Sequence, residues 1–344
     1  MHKKRINLSD IARACNVSVG TVSRALAGDE FISADTRVKI AKMADQLGYV
    51  PNEMARSLHK KFNRIIGLLI PDIMNPFFSQ VAKATEEYAI QHDFSVFLCN
   101  TNLEPETEKK YVRHLYSYKV AGIIILPVSD GFHEFAQRYF APEQIAYLAY
   151  RPASEQSHYV FTDDMKIVRI AVNHLADMGH RKVAYLGGSE NIPVSNDRFR
   201  HFLTVAEERG LEPMSLGDPV RNYSSTPGRL LRDDLRRARE LPTAFLCYND
   251  HLAINLLEAL ADLGIRVPEE VSIIGIDDTF VAALPKLELT SVGQSILELG
   301  QISAKAIIDN ATAKTPTFAH TVLEPSGLVV RSSVANLNAR ALIS

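Results

Sequence analysis

The chain has 344 residues, 46% of them hydrophobic, and a formal net charge of −2 at pH 7. Length and apolar content allow two or three domains with sizeable cores, and the near-neutral total neither marks nor excludes a polyanion as partner. Three scattered cysteines, Cys15, Cys99 and Cys247, argue against a disulfide framework or a CxxC zinc site and read as small buried hydrophobes in a reducing cytoplasm, while apolar runs such as IIGLLI and AGIIIL are far too short to span a membrane.

The charge is unevenly spread. Met1 to Arg64 holds twelve basic and six acidic residues, a surplus of six, and leaves an acidic remainder. A basic head on an acidic body suits phosphate binding by the head alone. The opening MHKKRINLSD has basic residues but no apolar stretch of the signal-peptide kind, so a soluble cytoplasmic protein with no membrane partner is expected. Asn7 can cap a first helix, with Asp10 near its positive end and Ile11, Ala12 and Ala14 facing a small core. Asn16 and Val17 make a turn. Ser18 caps a second helix over Val19–Ala27, ended by Gly28. Ser33 opens a third through Leu47, with Val38, Ile40, Ala41, Ala44 and Leu47 at helical spacing and Gly48 at its close. Pro51 holds Val50 extended, and Asn52 caps a short segment, EMARSLHKK.

Two short apolar-periodic helices about a tight turn, set among basic residues, form the pattern of a helix-turn-helix. Its second helix reads bases with its N-terminal side chains, here Ser18, Val19, Gly20 and Thr21, with Arg24 one turn further on. Arg24 offers two donors to a guanine edge. Val19 can only pack, for example on a thymine methyl, and Gly20 permits close approach. Ser18, Thr21 and Ser23 suit phosphate oxygens. A merely structural helix pair with a solvated Arg24 is the plainer reading, and the basic bias of the head weighs against it. In the next segment Asn52, Ala55 and Leu58 lie on a helix too short to be stable alone. Paired with a twin on DNA, it would insert Leu58 between base steps in the minor groove; as an ordinary linker, it would pack Leu58 on the body. Composition does not separate the two.

From Arg64 onward short aliphatic runs alternate with amphipathic helices. The expected strands are Ile65–Ile70, Ser95–Cys99, Gly122–Leu126, Ile145–Ala149, Tyr159–Thr162, Lys182–Leu186, Ala244–Tyr248 and Val271–Ile276. Between them lie PFFSQVAKATEEYAIQHD, EKKYVRHLYSYK, KIVRIAVNHLADMG, RFRHFLTVAEERG and HLAINLLEALADLG. Continuous apolar strands alternating with helices imply parallel sheets covered on both faces, and so many units imply two α/β lobes.

Ligands of open α/β sheets bind beyond the carboxyl ends of strands. There the chain carries Asp72 and Asn75-Pro76-Phe77-Phe78, Arg151, Asp163-Asp164, Asn196-Asp197-Arg198 after Gly187-Gly188-Ser189, Asn249-Asp250 and Asp277-Asp278. Carboxylates, amides, a guanidinium and rings meeting in a cleft suit a polyhydroxylated ligand. Singly, each is as well explained as a turn former or helix cap. No GxSxG, GxGxxG or GxxxxGK[ST] motif occurs, and the scattered histidines, His174 and His180 among them, read as helix-end or surface residues. No catalytic residue, metal or cofactor is therefore expected.

The stretches DIARACNVSVGTVSRAL, LGYVPNEMARSL, IGLLIPDIMNPFF, HLADMGHRKVAYLGG and VSIIGIDD, in this order, resemble the lactose-repressor (LacI/GalR) family of bacterial transcription regulators across essentially the whole chain. The resemblance implies a small all-α helix-turn-helix headpiece over 1–51, a hinge helix over 52–63 and, over 64–344, an α/β body like periplasmic binding proteins, built of two doubly wound parallel-sheet lobes. Each lobe would be non-contiguous, one from about 64–163 and 290–323, the other from about 164–289 and 324–344. Carried over by position, Val19, Gly20 and Arg24 fall where the family reads operator bases and Leu58 on its minor-groove wedge. Phe77, Arg198, Tyr223, Asn249 and Asp277 fall on effector contacts, and Gln294 at a lobe crossover near the pocket. An aspartate often precedes the arginine matching Arg151, whereas here Tyr150 stands there. The tail RSSVANLNARALIS is too short for the leucine heptads of tetrameric members, which favours a homodimer on a pseudo-palindromic operator.

The expected function is thus a transcription repressor whose operator affinity is set by a small effector, a sugar or sugar derivative, bound between the lobes. Two rivals remain at this point. A sugar-binding protein without a DNA role is opposed by the basic head, and a sugar-acting α/β enzyme by the absent nucleophile, metal and nucleotide motifs.

Overall fold

A computed structural model of the chain describes residues 6–49, 62–128, 131–187, 193–214 and 229–340. It divides into two compact units, Met1–Asn63 and Arg64–Ser344.

In the first unit, helices α1 (Leu8–Cys15), α2 (Val19–Leu26) and α3 (Ala34–Gln46) pack on one another. Asn7 caps α1 in a reciprocal box. Its Oδ1 accepts from the Ser9 and Asp10 amides at 2.9 and 3.2 Å, and the Asp10 carboxylate accepts from the Asn7 amide at 3.1 Å. Asn16, left-handed at φ 57°, turns the chain into α2. Ile11, Ala12, Cys15, Val22, Ala25, Ile40 and Ala44 form the buried core. Ala14, Val38 and Ala41, expected to face it, are exposed. Helical spacing defines an apolar stripe, but Cys15 fills the place given to Ala14, and α3 turns its Ile40–Ala44 edge inward.

In the second unit, strand β1 (Asn63–Ile70) joins β2 (Ser95–Asn100), β3 (Val120–Ile125), β4 (Ile145–Leu148), β5 (His158–Thr162) and β11 (His320–Leu323) in the order β11-β5-β4-β3-β1-β2. The second sheet runs β12-β10-β9-β8-β6-β7, from β6 (Lys182–Leu186), β7 (Glu212–Met214), β8 (Ala244–Cys247), β9 (Ser272–Asp277), β10 (Thr290–Gly293) and β12 (Gly327–Val329). Pairing is parallel in every register given for the first sheet and antiparallel only at β10–β12 in the second. The central strands β3, β4, β8 and β9 are buried throughout, as parallel strands covered on both faces must be.

The chain crosses between sheets three times: after β5, after β10 and after β11. The crossings lie side by side, since the Asp163 amide donates to Leu323 O at 3.0 Å and the Ser326 amide to Gly293 O at 3.0 Å. Strand β10, assigned by resemblance to the first lobe, sits in the second sheet, paired with β9. Its Ser291 hydroxyl reaches the Asp250 carboxylate at 2.6 Å, which ties it to that lobe. The chain returns to the first lobe through helix Ile296–Thr312, which the sequence reading did not identify and which packs on β3, β4 and β5. Also unidentified were β7, β10, β11, β12 and helices Phe132–Ala136 and Arg229–Arg237. His180, expected as a helix-end or surface residue, does lie just past a helix end but is buried, its Nδ1 3.0 Å from the Thr243 hydroxyl. It sits where the chain leaves the helix Asp164–Asp177 for β6, and that turn is covered.

Helix Ile296–Thr312 lies close against helix Pro76–Gln91. A methyl group on Gly300 would stand 2.7 Å from Val81 O and 2.9 Å from Ala84 Cβ, and the Thr85 hydroxyl donates to Gly300 O at 3.3 Å. Backbone cannot give way as a flexible side chain does. Gly300→Ala is therefore expected to destabilise the protein by about 1–3 kcal/mol in urea unfolding. An unchanged midpoint would mean that the helices separate at no cost.

Candidate functional site

Two places gather the candidate residues, one in each unit. In the head, Ser18 caps α2, its Oγ accepting from the Thr21 amide at 3.0 Å and lying 2.9 Å from the Thr21 hydroxyl. Val22 and Ala25 point into the core, which turns Val19, Gly20, Ser23 and Arg24 outward. Val19 is 42% exposed, an apolar side chain without a packing role. A Cβ on Gly20 would meet only Ser18 Oγ, at 3.8 Å, so nothing in the head itself requires glycine there. Arg24 forms no ion pair among the described residues, whereas Arg13 lies 4.0 Å from Asp10. The α2 face thus offers a small, flat N-terminal turn followed by an exposed guanidinium. Asn52, Ala55 and Leu58 lie outside the described residues.

In the body, a cleft enclosing about 50 Å³ lies where the carboxyl ends of both sheets face each other. The first lobe contributes Asp72, Asn75 and Phe77 after β1 and Leu126 after β3. The second contributes Arg198 from the helix after β6, Tyr248 and Asn249 after β8, and Asp277 at the end of β9. Gln294, at the second crossing, also lines it. Five of the expected effector residues, Phe77, Arg198, Asn249, Asp277 and Gln294, therefore meet in one cavity. Tyr223 lies outside the described residues. Arg151 is not among the cavity's walls. It lines two adjoining hollows, 60% exposed and 3.6 Å from Glu155, because the left-handed Ala149 (φ 49°) redirects the chain after β4.

Most polar wall groups are held. Asn75 caps helix Pro76–Gln91 through the Phe77 amide at 3.0 Å, and Asn249 caps helix Asp250–Asp262 through the Leu252 amide at 2.8 Å. Their side-chain NH₂ groups remain for a ligand. Arg198, 4% exposed, donates from Nε to Asp164 at 2.6 Å and from Nη1 to Tyr248 O at 2.7 Å, and lies 5.0 Å over the Tyr248 ring. Burial opposes its charge, but Asp164, Tyr248 and Asp277 more than offset this, and it stays protonated. Asp277, at φ 119°, accepts from Gln294 Nε2 at 2.6 Å. Burial, then the nearby Asp250, push its carboxyl well above the ordinary range, with Arg198 and Gln294 pulling the other way.

Asp250 braces this turn. It accepts from the Thr279 amide and hydroxyl at 2.7 and 3.1 Å and from the Ser291 hydroxyl at 2.6 Å, and burial raises it to about 6. Gly275 makes room for it, since a Cβ there would clash with its Oδ1. His251 was missed. It lines the cavity from the second lobe, and burial lowers its pKa, opposed by Asp72 from the first. Its signal was available, because it sits two residues past Asn249, at the start of the helix that follows a strand's carboxyl end. No group of three or more His, Cys, Asp or Glu among the described residues could hold a metal ion. No helix there is long and apolar enough to cross a membrane. The walls present donors, acceptors and the rings of Phe77, Phe78 and Tyr248, which is equipment for binding a polar small molecule.

Residues 7–52 match the family of bacterial regulatory proteins named for lacI, and 172–334 match the periplasmic binding protein-like domain. Regulator DegA of Bacillus subtilis (strain 168) is 32% identical over 337 residues, 97% of this chain and 99% of its own. Repressor PurR of Vibrio vulnificus (strain CMCP6) is 27% identical, covering 96% and 99%. Among solved structures, a Lac repressor dimer bound to operator and the anti-inducer ONPF superposes with a TM-score of 0.80 at 25% identity, covering 96% of this chain and 100% of that one. A LacI family regulator from Enterococcus faecium with bound ribose gives 0.68 at 29% identity, covering 79% and 99%.

Asp250 generates a pH test. Its folded pKa lies above the unfolded value of 3.8, so the native state takes up a proton as pH falls from about 6 to about 4 and gains stability there. The stability of the parent protein minus that of Asp250→Asn, measured by urea unfolding, is expected to rise as pH falls through that interval. A value that stays constant or falls would mean that its three donors hold Asp250 as the anion.

Proposed function

This chain belongs to the LacI family of bacterial regulatory proteins, and from that premise we propose that it is a repressor whose grip on a pseudo-palindromic operator is set by a small polyhydroxylated effector, a sugar or sugar derivative, bound between the two lobes. That it is a DNA-binding transcriptional regulator follows from the family, and with it the enzyme alternative falls. The observation that carries the proposal is the cleft itself: strand ends of two lobes converge on it with amides, carboxylates, one paired guanidinium and the rings of Phe77 and Tyr248. Hydroxyl-rich ligands use such mixed donors and acceptors, with apolar faces against rings. The ribose bound by the Enterococcus faecium relative supports the same reading.

DNA reading is assigned to the outer face of α2. Arg24 contacts a base edge, Val19 packs on a thymine methyl, and Gly20 lets the helix come close. Ser18 and Thr21 serve phosphates, with one hydroxyl proton of the pair to spare. Asn52, Ala55 and Leu58 form the hinge contacts. A homodimer is supported by the edge strand β2, whose Phe97 and Leu98 are 40% and 45% exposed. The operator places the protein in the cytoplasm. An effector that binds open and closed lobes unequally shifts their balance, and the three adjacent crossings are where that movement is accommodated.

The test is operator affinity at fixed salt, with and without each member of a panel of sugars, in the parent protein and in Asp277→Ala. A sugar-dependent change in the parent, lost in the variant with basal affinity retained, is expected. A response to a purine base and to no sugar would replace the ligand class; no response to any would leave a plain DNA binder.

On the DNA side, two substitutions have opposite signatures. Gly20→Ala is expected to stabilise α2 by up to about 1 kcal/mol while weakening operator binding. Arg24→Ala is expected to leave stability unchanged and to cost about 1–3 kcal/mol at the cognate site, less on random duplex, as read by gel shift and thermal melting. Unweakened binding by Gly20→Ala would remove the close-approach role.

A further inference from the structure

One histidine of the first lobe is enclosed by partners that leave room for a single ring proton. His158, 2% exposed at the start of β5, accepts at Nδ1 from the Ala319 amide at 3.0 Å. The neutral ring then carries its proton on Nε2, which lies 3.2 Å from Glu143 O. The third neighbour is the Asn310 side-chain amide, whose Nδ2 stands 2.8 Å from Nε2. Its orientation is fixed, because its Oδ1 accepts from the Thr317 amide at 3.0 Å while Nδ2 donates to Thr317 O at 2.7 Å and to Glu143 O at 3.3 Å. The ring thus meets two donors and one acceptor, and a second proton, on Nδ1, would point at an N–H. We propose that His158 is a proton-operated lock: the neutral ring ties the entry of β11 to the amino ends of β4 and β5, and the protonated ring lets that entry go and loosens the third crossing between the lobes.

Four segments meet at this ring: the turn before β4 with Glu143, the start of β5, the end of helix Ile296–Thr312 with Asn310, and the residues leading into β11. They lie at the amino ends of parallel strands, the opposite end of the sheet from the cleft, so the lock is separate from the effector site. The Phe318 ring covers it, with centroids 5.6 Å apart. The charges facing it do not hold a second proton. Burial is the largest effect and lowers its pKa below the ordinary 6.5; Glu143 and Asp309 oppose this, His320 adds to it, and Asp309 is already paired with Lys305 at 2.7 Å. The lock's contribution to stability is therefore complete above pH 6.5 and is lost as pH falls below it. The neighbouring His320 is built differently. Its Nε2 lies 3.0 and 3.1 Å from Glu155 O and Ser157 O and its Nδ1 3.6 Å from the Glu155 carboxylate, so both nitrogens face acceptors. The path to the crossing is short. Ala319 O accepts from the Tyr159 amide at 3.0 Å, β11 is four residues long, and Leu323 O at its end accepts from the Asp163 amide at 3.0 Å.

Amide hydrogen exchange of the full-length protein, corrected for the intrinsic effect of pH on exchange, tests this. Opening of the segment 317–326 is expected to rise about tenfold between about pH 7.5 and about pH 5.5, the factor set by a ring that takes its second proton only when released. His158→Asn puts an uncharged acceptor near the place of Nδ1 and is expected to flatten that profile. If that variant does not fold, the ring nitrogen-15 shifts of the parent decide the matter: a neutral ring protonated on Nε2, turning cationic in step with the opening, is expected. Opening that ignores pH in the parent, a rise that survives His158→Asn, or a neutral ring carrying its proton on Nδ1 would each overturn the lock. A rise confined to 317–319, with the Asp163 and Ser326 amides as protected as before, would overturn its link to the crossing.

Discussion

A buried guanidinium is the interaction on which the body depends. An unpaired ion at the site of Arg198 would cost several kcal/mol, so the fold must bring it partners. Asp164, at the first crossing between lobes, and the carbonyl of Tyr248, at the end of β8, are those partners. Three segments far apart in the chain therefore have to converge before the cleft has a wall. The same constraint recurs beside it, where Asp250 is buried only because Thr279 and Ser291 give it three hydrogen bonds and Gly275 leaves it room. Through that brace the turn at Asp277 and Asp278 keeps an unusual backbone, and the Asp277 carboxyl meets Gln294 in the cavity.

The two units solve different problems. The head has a small core of aliphatic side chains and alanines with one cysteine, enough to fix three short helices and no more. Everything on the outer side of α2 is consequently free of packing duty, and its residues answer to a partner alone. In the body nearly every polar group of the cleft also holds the fold together: Asn75 and Asn249 cap helices, and Gln294 marks a crossing. A ligand there touches groups from both lobes that each lobe's own fold already holds in place. That is the physical condition for binding to be felt elsewhere, since a ligand shifts an equilibrium only through contacts that differ between its states.

Where sequence reading and structure part, the reasons are local. Arg151 follows a strand and so looked like a cavity residue, but a single left-handed alanine before it turns the chain away. His180 has the look of a surface residue after a helix, and burial there is decided by what covers that turn. Helix Ile296–Thr312 was not seen because it is apolar on several sides and carries Gly300, a residue that weakens a helical signal and that here exists to let another helix approach. The short strands β7, β10, β11 and β12 run to three or four residues each, too few for an alternating pattern to show.

By itself the sequence determined the local elements: the capped helices of the head, the buried parallel strands and the polar residues at their carboxyl ends. These follow from neighbours a few positions apart, through helical period, capping chemistry and turn preference. It also carried the outward face of α2, because a period of 3.6 decides which side chains can be buried together. Tertiary structure alone decided which strand joins which sheet, that β10 belongs with β9, and which strand-end residues share a cavity. Those outcomes depend on contacts between segments well separated in the chain, such as Asp250 with Ser291 or Gly300 with Val81, and no local pattern encodes which distant surface a residue will meet.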